Sequence, residues 1–465
     1  MPERSILGSM MLAFGGFTLP DDVRQRLTDA PAAGISLYRY GNCESPAQLR
    51  ALTDAIQACA APSAPLLLAV DQEGGQLNGV VGSTPFPGAM ALGAAGDVEL
   101  AERVARAVGR ELRAVGANVN YAPVCDVASN ALNPGIGVRS FGSDPAAVAE
   151  LAAATVRGLQ SVGVAATAKH FPGAGEVVVD THHGLGAAAV SREHLDAIEL
   201  LPFRAAVAAG ARVVMSGHFA VPALDGADDL PATLSPAVWR LLRHELGFDG
   251  VTITDALDMR ALAQGPAQVL DVLAALRAGA DLLLCAPDRE AIQRIEDGLV
   301  HAATRRLVDP TALASATARI TALRRWVAAF EQPPLSVVGC AEHIELAREV
   351  AARSVTLVRN EAGLLPLRLA GDARVLAIMP EPADLTPADT SSTVVPGLAA
   401  ALRRHHANVD ELVVPLMPGP DEIAAVTARA ADHDLIVVGT VSASLMPEQA
   451  TLVRCLLDRP TVTVA

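Results

Sequence analysis

Short apolar runs alternate with longer amphipathic stretches over the first 290 residues, and this alternation constrains the fold more than any other feature. Eight runs have the length and apolar content of buried strands: Met10–Phe14, Gly34–Tyr38, Leu66–Val70, Asn118–Tyr121, Ala165–Ala168, Val213–Ser216, Val251–Thr254 and Asp281–Leu284. Strands that alternate with helices form parallel βα units. Eight such strands close a (β/α)8 barrel. We therefore expect an α/β protein with a TIM-like barrel, and an open doubly wound sheet is the alternative that counting leaves open.

The amphipathic stretches between the runs predict helices. They include Pro46–Ala60, Asp97–Val115, Asp144–Val162, Arg192–Ala209 and Ser235–Leu246. Two of them begin at a recognisable start signal, in which a serine comes before a proline at the first helical turn. We expect Ser45 and Ser143 to cap these two helices.

A Gln-Pro-Pro sequence at residues 332–334 ends the first alternation and predicts a linker. The strand-like runs beyond it are Arg374–Met379, Val409–Leu416, Leu435–Gly439 and Thr461–Ala465. They predict a smaller α/β domain with a mostly parallel sheet. We place the barrel domain at residues 1–331, the linker at 332–344 and the second domain at 345–465. Because the chain stops on a strand-like run, a second domain that continues past residue 465 is the alternative.

Composition excludes several classes of protein. Of the 465 residues, 51% are hydrophobic and 19% are charged, which supports a large core and excludes a disordered chain. The net charge is −15 and no basic block occurs, so we expect neither nucleic acid nor an anionic membrane as a partner. The six cysteines lack CxxC spacing and are typical of reduced thiols in the cytosol. No apolar run reaches the roughly 18 residues of a membrane helix, and no secretory signal is evident. We expect a soluble cytoplasmic protein.

Chemically active side chains follow five consecutive candidate strands. In order, they are Asp71 in Asp71-Gln72-Glu73-Gly74-Gly75, Asp126 with the loop Arg139–Gly142, the pair Lys169-His170, His218 and Asp255. A barrel carries its active residues at the carboxyl ends of its strands, so these residues should surround one mouth. A single acidic residue after a strand usually has a structural role. Charged or imidazole side chains at five consecutive strand ends favour a binding site instead. Carboxylates and cations without a phosphate-binding glycine motif suit a polyhydroxylated ligand.

The loop after the fifth candidate strand carries a second signal. It contains Gly173-Ala174-Gly175, which indicates a flexible turn, and then the Asp180-Thr181-His182 sequence. An Asp-x-His arrangement can hold a carboxylate against one imidazole nitrogen and leave the other free to transfer a proton. The competing interpretation is a surface loop whose histidines have no catalytic role.

The segment Lys169-His170-Phe171-Pro172-Gly173-x-Gly175-x4-Asp180-Thr181-His182 resembles the signature of glycoside hydrolase family 3, in particular its NagZ-like β-N-acetylglucosaminidase branch. The similarity extends in order over Asp71–Gly75, Phe86–Leu92, Asn120–Val127, Arg139–Gly142, Pro231–Ser235, Gly247–Met259 and Ser354–Leu367. It therefore covers about 300 residues and reaches the segment that opens the family's second α/β domain.

The resemblance implies a retaining, two-step mechanism. It assigns Asp255 as the nucleophile, His182 as the acid/base residue and Asp180 as its partner. By the same resemblance, the sugar hydroxyls are bound by Asp71, Arg139, Lys169 and His170. We expect no metal and no organic cofactor. His183 is a competitor for the acid/base role, and His218 either lines the pocket or belongs to the core.

The resemblance implies a retaining exo-β-N-acetylhexosaminidase that releases terminal N-acetylglucosamine-like residues from a small carbohydrate or glycoconjugate, with cell-wall recycling as its setting. A phosphorylase that uses the same residues is the first alternative, because a neutral histidine repels a phosphate dianion less than a carboxylate does. A divergent sugar-binding or biosynthetic relative is the second.

The sequence departs from the family pattern at a few positions. Gln76 and Gly79 stand where the branch commonly has arginines, and Ala174 replaces a histidine. A lost arginine alters the sugar specificity that the family would predict. We expect Arg39, which follows the second candidate strand, to face the mouth and partly replace the missing contact.

Overall fold

The computed structural model describes residues 2–29, 32–61, 64–226 and 229–465, and the chain divides into two compact units, Met1–Val355 and Thr356–Ala465. The first unit contains a closed barrel of eight parallel strands. These strands are β1 (Met10–Leu12), β2 (Gly34–Ser36), β3 (Leu67–Val70), β4 (Val119–Asn120), β5 (Ala165–Phe171), β6 (Val213–Ser216), β7 (Val251–Ala256) and β8 (Leu282–Leu284). All eight candidate runs are confirmed as barrel strands. Because β1 pairs with β8, with Met10 opposite Leu283, the open-sheet alternative is excluded.

Side chains that point inward from the strands fill the barrel. Met11, Leu67, Tyr121 and Ile253 are among them, each 1% exposed. The helix Pro310–Ala328 adds apolar side chains to the same cluster. It also binds the chain just before two strands: Arg319 pairs with Asp281, and Arg324 donates to the Pro65 carbonyl. This helix therefore covers the amino ends of the strands and leaves the carboxyl ends for a site.

Helices surround the barrel, as strand–helix alternation requires. Those of the first unit are Pro2–Leu7, Asp21–Asp29, Arg39–Asn42, Pro46–Gln57, Ala89–Ala95, Val98–Ala114, Pro145–Gln160, Arg192–His194, Leu200–Ala208, Pro222–Asp225, Pro236–Arg240, Gln268–Ala278, Arg289–Thr304, Pro310–Ala328 and Ala341–Ser354. Short 3₁₀ turns lie at Gly137–Arg139, Ala232–Leu234, Gly265–Ala267 and Leu335–Val337. Two predicted helices, Arg192–Ala209 and Ser235–Leu246, each contain a π-helical turn, at Leu195–Glu199 and Leu241–Glu245.

The two predicted caps have different outcomes. Ser45 is confirmed, because its side chain accepts a hydrogen bond from the Gln48 amide. Ser143 is not the cap of the next helix. Asp144 takes that place and accepts from the Ala146 amide at 2.9 Å. Proline at the first helical position, Pro145, makes the residue directly before it the cap.

The structure places the boundary between the units after Val355, which differs from the predicted linker at 332–344 and the second domain from 345. The cause is a buried carboxylate on the helix Val98–Ala114. Glu111 Oε1 binds His343 Nδ1 at 2.7 Å and accepts from the Gly339 amide at 3.1 Å. These contacts fix residues 339–343, and the helix that follows them, to the barrel unit.

The second unit contains a four-stranded parallel sheet. Its strands are β9 (Val375–Pro380), β10 (Val409–Val414), β11 (Leu435–Gly439) and β12 (Thr461–Val464), in the spatial order β10-β9-β11-β12. Its helices are Leu398–Arg403, Pro420–Ala430 and Pro447–Leu456, and a 3₁₀ turn lies at Ser391–Thr393. Buried residues form one cluster on each face of the sheet, as expected for a parallel sheet that is covered on both sides. Across all described residues, no helix combines the length and the apolar character that a bilayer crossing needs.

Candidate active site

The carboxyl ends of β3 to β7 lie side by side in the barrel, and their side chains converge on one mouth. The pKa values of two tyrosines reflect this convergence. Burial raises the pKa of the Tyr38 and Tyr121 hydroxyls, and the charges of Asp71 and Asp255 raise it further in both cases. Asp71 follows β3 and Asp255 lies in β7, so the two carboxylates act on the same rings from different strands.

A buried ionic network joins β3 to β5 and to the loop after β4. Lys169 Nζ lies 2.7 Å from both Asp71 Oδ1 and Glu73 Oε1. Arg139 donates two hydrogen bonds to Glu73, each of 2.8 Å. Burial acts to raise the pKa of Glu73, but the charges of Arg139 and Lys169 outweigh it and hold that pKa well below its usual range. Burial likewise acts to lower the pKa of Lys169, and Asp71 and Glu73 hold it above its usual value. Glu73, Lys169 and Arg139 are therefore charged at neutral pH.

A tight hairpin after β3 positions Asp71 and Glu73. Its short strands, Gln72–Gly74 and Leu77–Asn78, are joined by Gly74 and Gly75 at φ values of +85° and +60°, which favour glycine. A Cβ at Gly79 would lie 2.7 Å from the Asp71 carbonyl oxygen. An arginine at position 79 is therefore incompatible with this backbone.

Arg39 reaches the same hairpin from the end of β2. Its Nη1 donates to the Asn78 carbonyl at 3.1 Å, next to the position where the family pattern has an arginine. Gln76, the other departure, lies half-buried in the turn. The structure thus brings a guanidinium to the hairpin in which the sequence lacks the two arginines of the family pattern.

Asp126, which is fully buried, anchors the loop after β5. Its carboxylate accepts from the His170 ring Nδ1 at 2.7 Å and from the Ala174 amide at 2.7 Å. The His170 amide donates to the same carboxylate at 3.2 Å. The carbonyl of Asp126 accepts from the Ser140 hydroxyl at 2.7 Å. One residue therefore orients the His170 ring and holds the loops on both sides of it.

Three histidines surround the carboxylate of Asp255. Burial acts to raise the pKa of Asp255, but His170, His218 and His182 together outweigh it, and the pKa lies below its ordinary value. The Ala256 amide donates to Asp255 Oδ1 at 2.8 Å. The group is therefore ionised at neutral pH and fixed in orientation, as a nucleophilic carboxylate must be.

Asp180 and His182 form the predicted pair. His182 Nδ1 lies 2.7 Å from Asp180 Oδ1, and the His182 amide donates to the same oxygen at 2.9 Å. Burial acts to raise the pKa of Asp180, but these hydrogen bonds and the nearby imidazoles hold it below its usual value. Within the described residues, His182 Nε2 makes no hydrogen bond. His183 is exposed, and only its backbone bonds to Asp180.

His218 contacts the backbone next to Asp255. It is 0% exposed, its Nε2 donates to the Ala256 carbonyl at 3.0 Å, and its Nδ1 lies 2.7 Å from Thr233 Oγ1. Burial lowers the pKa of His218. Of the two interpretations of this residue, the structure supports the core one: a neutral histidine that fixes the backbone beside Asp255.

The family model described as "Glycosyl hydrolase family 3 N terminal domain" matches residues 10–323 of this chain, two thirds of its length. The chain belongs to glycosyl hydrolase family 3. A solved family 3 β-N-acetylglucosaminidase from Paenibacillus sp. str. FPU-7 is 36% identical and superimposes with a TM-score of 0.91 over 99% of this chain and 89% of that one.

Curated relatives carry the names of hexosaminidases and related glycosidases. A β-hexosaminidase of Thiobacillus denitrificans is 39% identical over 287 residues, which cover 60% of this chain and 78% of the relative. β-Hexosaminidase A of Pseudoalteromonas piscicida is 36% identical over 394 residues, which cover 78% of this chain and 65% of the relative. A β-N-acetylglucosaminidase/β-glucosidase of Cellulomonas fimi is 36% identical over 329 residues, which cover 67% of this chain and 57% of the relative. The chain thus spans less than two thirds of the length of two of these relatives.

The family 3 barrel brings together all seven residues that the sequence analysis assigned to the site. Sequence reasoning did not give roles to Glu73 and Asp126. Glu73 is the counter-ion of two assigned cations, and Asp126 holds the ring of a third assigned residue. The sequence does offer a signal for Glu73. It lies two residues after Asp71 in a tight turn, which predicts that both side chains lie at the same barrel mouth.

Removing the charge of Glu73 tests the buried network. Glu73→Gln leaves the Arg139 guanidinium buried without its carboxylate, and we expect a loss of about 3 kcal/mol in the free energy of unfolding at pH 7. The folded-state pKa of Glu73 lies below its unfolded value of about 4.3, so its stabilisation is complete above that pH and is lost as pH falls through the lower, folded-state pKa. The difference from wild type should therefore shrink in acid.

The measurement is urea unfolding at pH 7 and at low pH, followed by tryptophan fluorescence. Both tryptophans, Trp239 and Trp326, report on the first unit. Glu44→Gln, an exposed acid of the same unit, is the control and should unfold like wild type at every pH. A constant difference between Glu73→Gln and wild type across the pH range would contradict the assigned electrostatics.

Proposed function

We propose that this chain is a retaining exo-β-N-acetylhexosaminidase with Asp255 as nucleophile and His182, oriented by Asp180, as acid/base. The observation that carries the proposal is the 2.7 Å contact between His182 Nδ1 and Asp180, beside an ionised Asp255 that lies in the field of the same imidazole. A carboxylate nucleophile and a proton donor at one barrel mouth are the parts that a retaining glycosidase requires.

In the first step, an oxygen of Asp255 attacks the anomeric carbon and the glycosidic bond breaks. His182 gives its Nε2 proton to the departing oxygen, and the Asp180 carboxylate stabilises the imidazolium before that transfer. In the second step, water attacks the glycosyl-enzyme bond, His182 takes a proton from the water, and the Asp255 carboxylate is released. Because Asp180 bonds to Nδ1, it fixes the tautomer that leaves Nε2 for this exchange.

The substrate assignment rests on the relatives and on the polar mouth. The relatives are named β-hexosaminidase or β-N-acetylglucosaminidase. Asp71, Arg139, Lys169 and His170 are proposed to hold the hydroxyls of the terminal sugar, because charged groups make strong hydrogen bonds to hydroxyls. We place the reaction in the cytoplasm, with cell-wall fragments as the source of the N-acetylglucosamine-like residue.

Asp255 is tested first. Asp255→Ala should reduce turnover of an aryl N-acetyl-β-glucosaminide to background, because no other group can form the covalent intermediate. Mass spectrometry of wild type with a slow 5-fluoro N-acetyl-β-glucosaminide, which keeps the acetamido group on C2, should find one sugar on the peptide that contains Asp255. The products of the aryl glycoside reaction are analysed with and without inorganic phosphate. Formation of a sugar 1-phosphate would show that the chain is a phosphorylase and not a hydrolase. Near wild-type turnover by folded Asp255→Ala protein would overturn the nucleophile.

His182 and His183 offer a matched pair of adjacent histidines. His182→Ala should lower kcat/KM by roughly 10²–10⁴-fold on aryl glycosides with poor leaving groups, and far less on a dinitrophenyl glycoside, which departs without a proton. Asp180→Asn should show the same pattern more mildly, since the imidazole remains without its orienting charge. His183→Ala should resemble wild type on both substrates. A leaving-group effect in His183→Ala, and none in His182→Ala, would transfer the acid/base role to His183.

Arg39 is tested as a replacement for the arginines absent at positions 76 and 79. Arg39→Ala should raise KM for the aryl N-acetyl-β-glucosaminide by roughly tenfold to a hundredfold, the equivalent of one charge-assisted hydrogen bond of about 1.5–3 kcal/mol. Arg24→Ala, an exposed arginine on the helix Asp21–Asp29, is the control and should leave KM unchanged. An unchanged KM in Arg39→Ala would show that this residue does not replace the lost contact.

A further inference from the structure

A second polar cluster lies beneath the loop that carries Asp180 and His182, and no step of the proposed reaction uses it. It consists of Glu176, His194 and Glu199, which we name the loop-base cluster. One potential ligand atom from each residue lies within 4.8 Å of those of the other two. Two ligands on opposite sides of a first-row divalent ion are about 4 Å apart, so small side-chain adjustments would close this set around one ion.

Glu199 is the decisive member of the loop-base cluster. It is 0% exposed, and neither of its carboxylate oxygens reaches a hydrogen-bond partner in the described part of the chain. The Gly175 amide and the Ser129 hydroxyl are its polar neighbours, but neither bonds to it with regular geometry. A buried carboxyl group whose two oxygens lack hydrogen-bond partners is costly whether it is charged or neutral, and a bound cation is one of the few groups that would offset the cost. His194 Nε2 is also buried and unbonded, 3.8 Å from Glu199 Oε1.

The local backbone places these groups together. Leu195–Glu199 is a π-helical turn, in which the Leu200 amide donates to the Leu195 carbonyl five residues back. Such turns are rare and frequently occur at functional sites. His194 and Glu199 are themselves five residues apart. A regular α-helix would place two such side chains on different faces, whereas the wider π turn brings them close enough to share one ion.

The glycines of the loop make the space for Glu199. A Cβ at Gly173 would lie 2.5 Å from Glu199 Oε2, and a Cβ at Gly175 would lie 3.2 Å from Oε1. The backbone of Gly173-Ala174-Gly175 therefore passes directly over the carboxylate. Glu176 follows at once and adds its carboxylate from the loop side, so the loop-base cluster joins the loop to the helix beneath it.

We propose that Glu176, His194 and Glu199 bind one divalent transition-metal ion of the Zn²⁺ or Mn²⁺ class, which ties the acid/base loop to the helix. One imidazole and two carboxylates form a mixed nitrogen and oxygen set, which these ions accept, whereas Mg²⁺ and Ca²⁺ prefer oxygen ligands alone. Water would complete the coordination. The ion is a positioning element for the segment that leads to Asp180 and His182, and it takes no part in bond breaking.

The test measures Zn²⁺ directly by equilibrium dialysis and elemental analysis, without substrate, so its outcome is independent of the proposed hydrolase activity. Wild type should bind one equivalent of Zn²⁺ that survives a large excess of Mg²⁺. Glu176→Gln and His194→Gln, at the more accessible members of the cluster, should each weaken binding at least tenfold. Glu193→Gln removes an exposed acid next to His194 and should bind like wild type. No stoichiometric binding, or equal binding by all variants, would overturn the site.

The link to the loop has its own readout in hydrogen exchange. Addition of Zn²⁺ to wild type should slow exchange of the backbone amides in residues 176–183 by at least tenfold. The same addition should leave Glu176→Gln unchanged, because that variant loses the ligand on the loop side. Equal exchange in wild type with and without Zn²⁺ would show that the ion does not hold the loop.

Discussion

The mouth of this barrel depends on one buried carboxylate, that of Asp126. It accepts hydrogen bonds from the ring and the backbone of His170 and from the Ala174 amide. The backbone carbonyl of Asp126 accepts from the Ser140 hydroxyl. Three segments therefore share a single anchor: the end of β4, the loop that contains Arg139, and the loop that starts at the end of β5. Hydrogen bonds from several donors replace the water that a buried carboxylate loses, so they offset the cost of its burial. The positions of the groups that we propose for sugar binding and for proton transfer follow from this anchor.

Charge at the mouth is balanced locally, and the balance divides the site into two parts. On one side, Glu73 is shared by the cations Arg139 and Lys169, so that Lys169 remains an ammonium group although it is buried. On the other side, Asp255 lies among imidazoles rather than strong cations. A lysine or arginine in direct contact would stabilise the carboxylate and reduce its reactivity as a nucleophile. These imidazoles hold the pKa of Asp255 below its ordinary value, and we propose that one of them, His182, exchanges a proton.

The sequence predicted the barrel because the signals for its strands are local. Each apolar run is bounded by polar residues, and few folds have eight strands that alternate with helices. The same logic located the strand-end residues, since strand order fixes which ends are neighbours. It could not assign roles that depend on contacts between distant segments. Glu111 and His343 are separated by more than 200 residues, and their contact moves the boundary between the units to Val355. The cap at Asp144 was missed for the opposite reason, because two adjacent residues both carry capping side chains.

The glycine pattern of the acid/base loop has a physical cause that the pattern alone does not disclose. The sequence alone indicates loop flexibility at Gly173 and Gly175, but the structure gives steric reasons. A Cβ at Gly173 would lie 2.5 Å from Glu199 Oε2, and a Cβ at Gly175 would lie 2.0 Å from the Val127 carbonyl oxygen and 3.2 Å from Glu199 Oε1. A carboxylate that is buried under two obligatory glycines is unlike a residue that merely fills space, since an apolar side chain would fill the same volume without a desolvation cost. Its retention beneath the loop is explained if the group binds something. Because Glu176 joins the cluster only four residues before Asp180, an ion bound by Glu199 and Glu176 would also restrain the backbone that leads to the proposed acid/base pair.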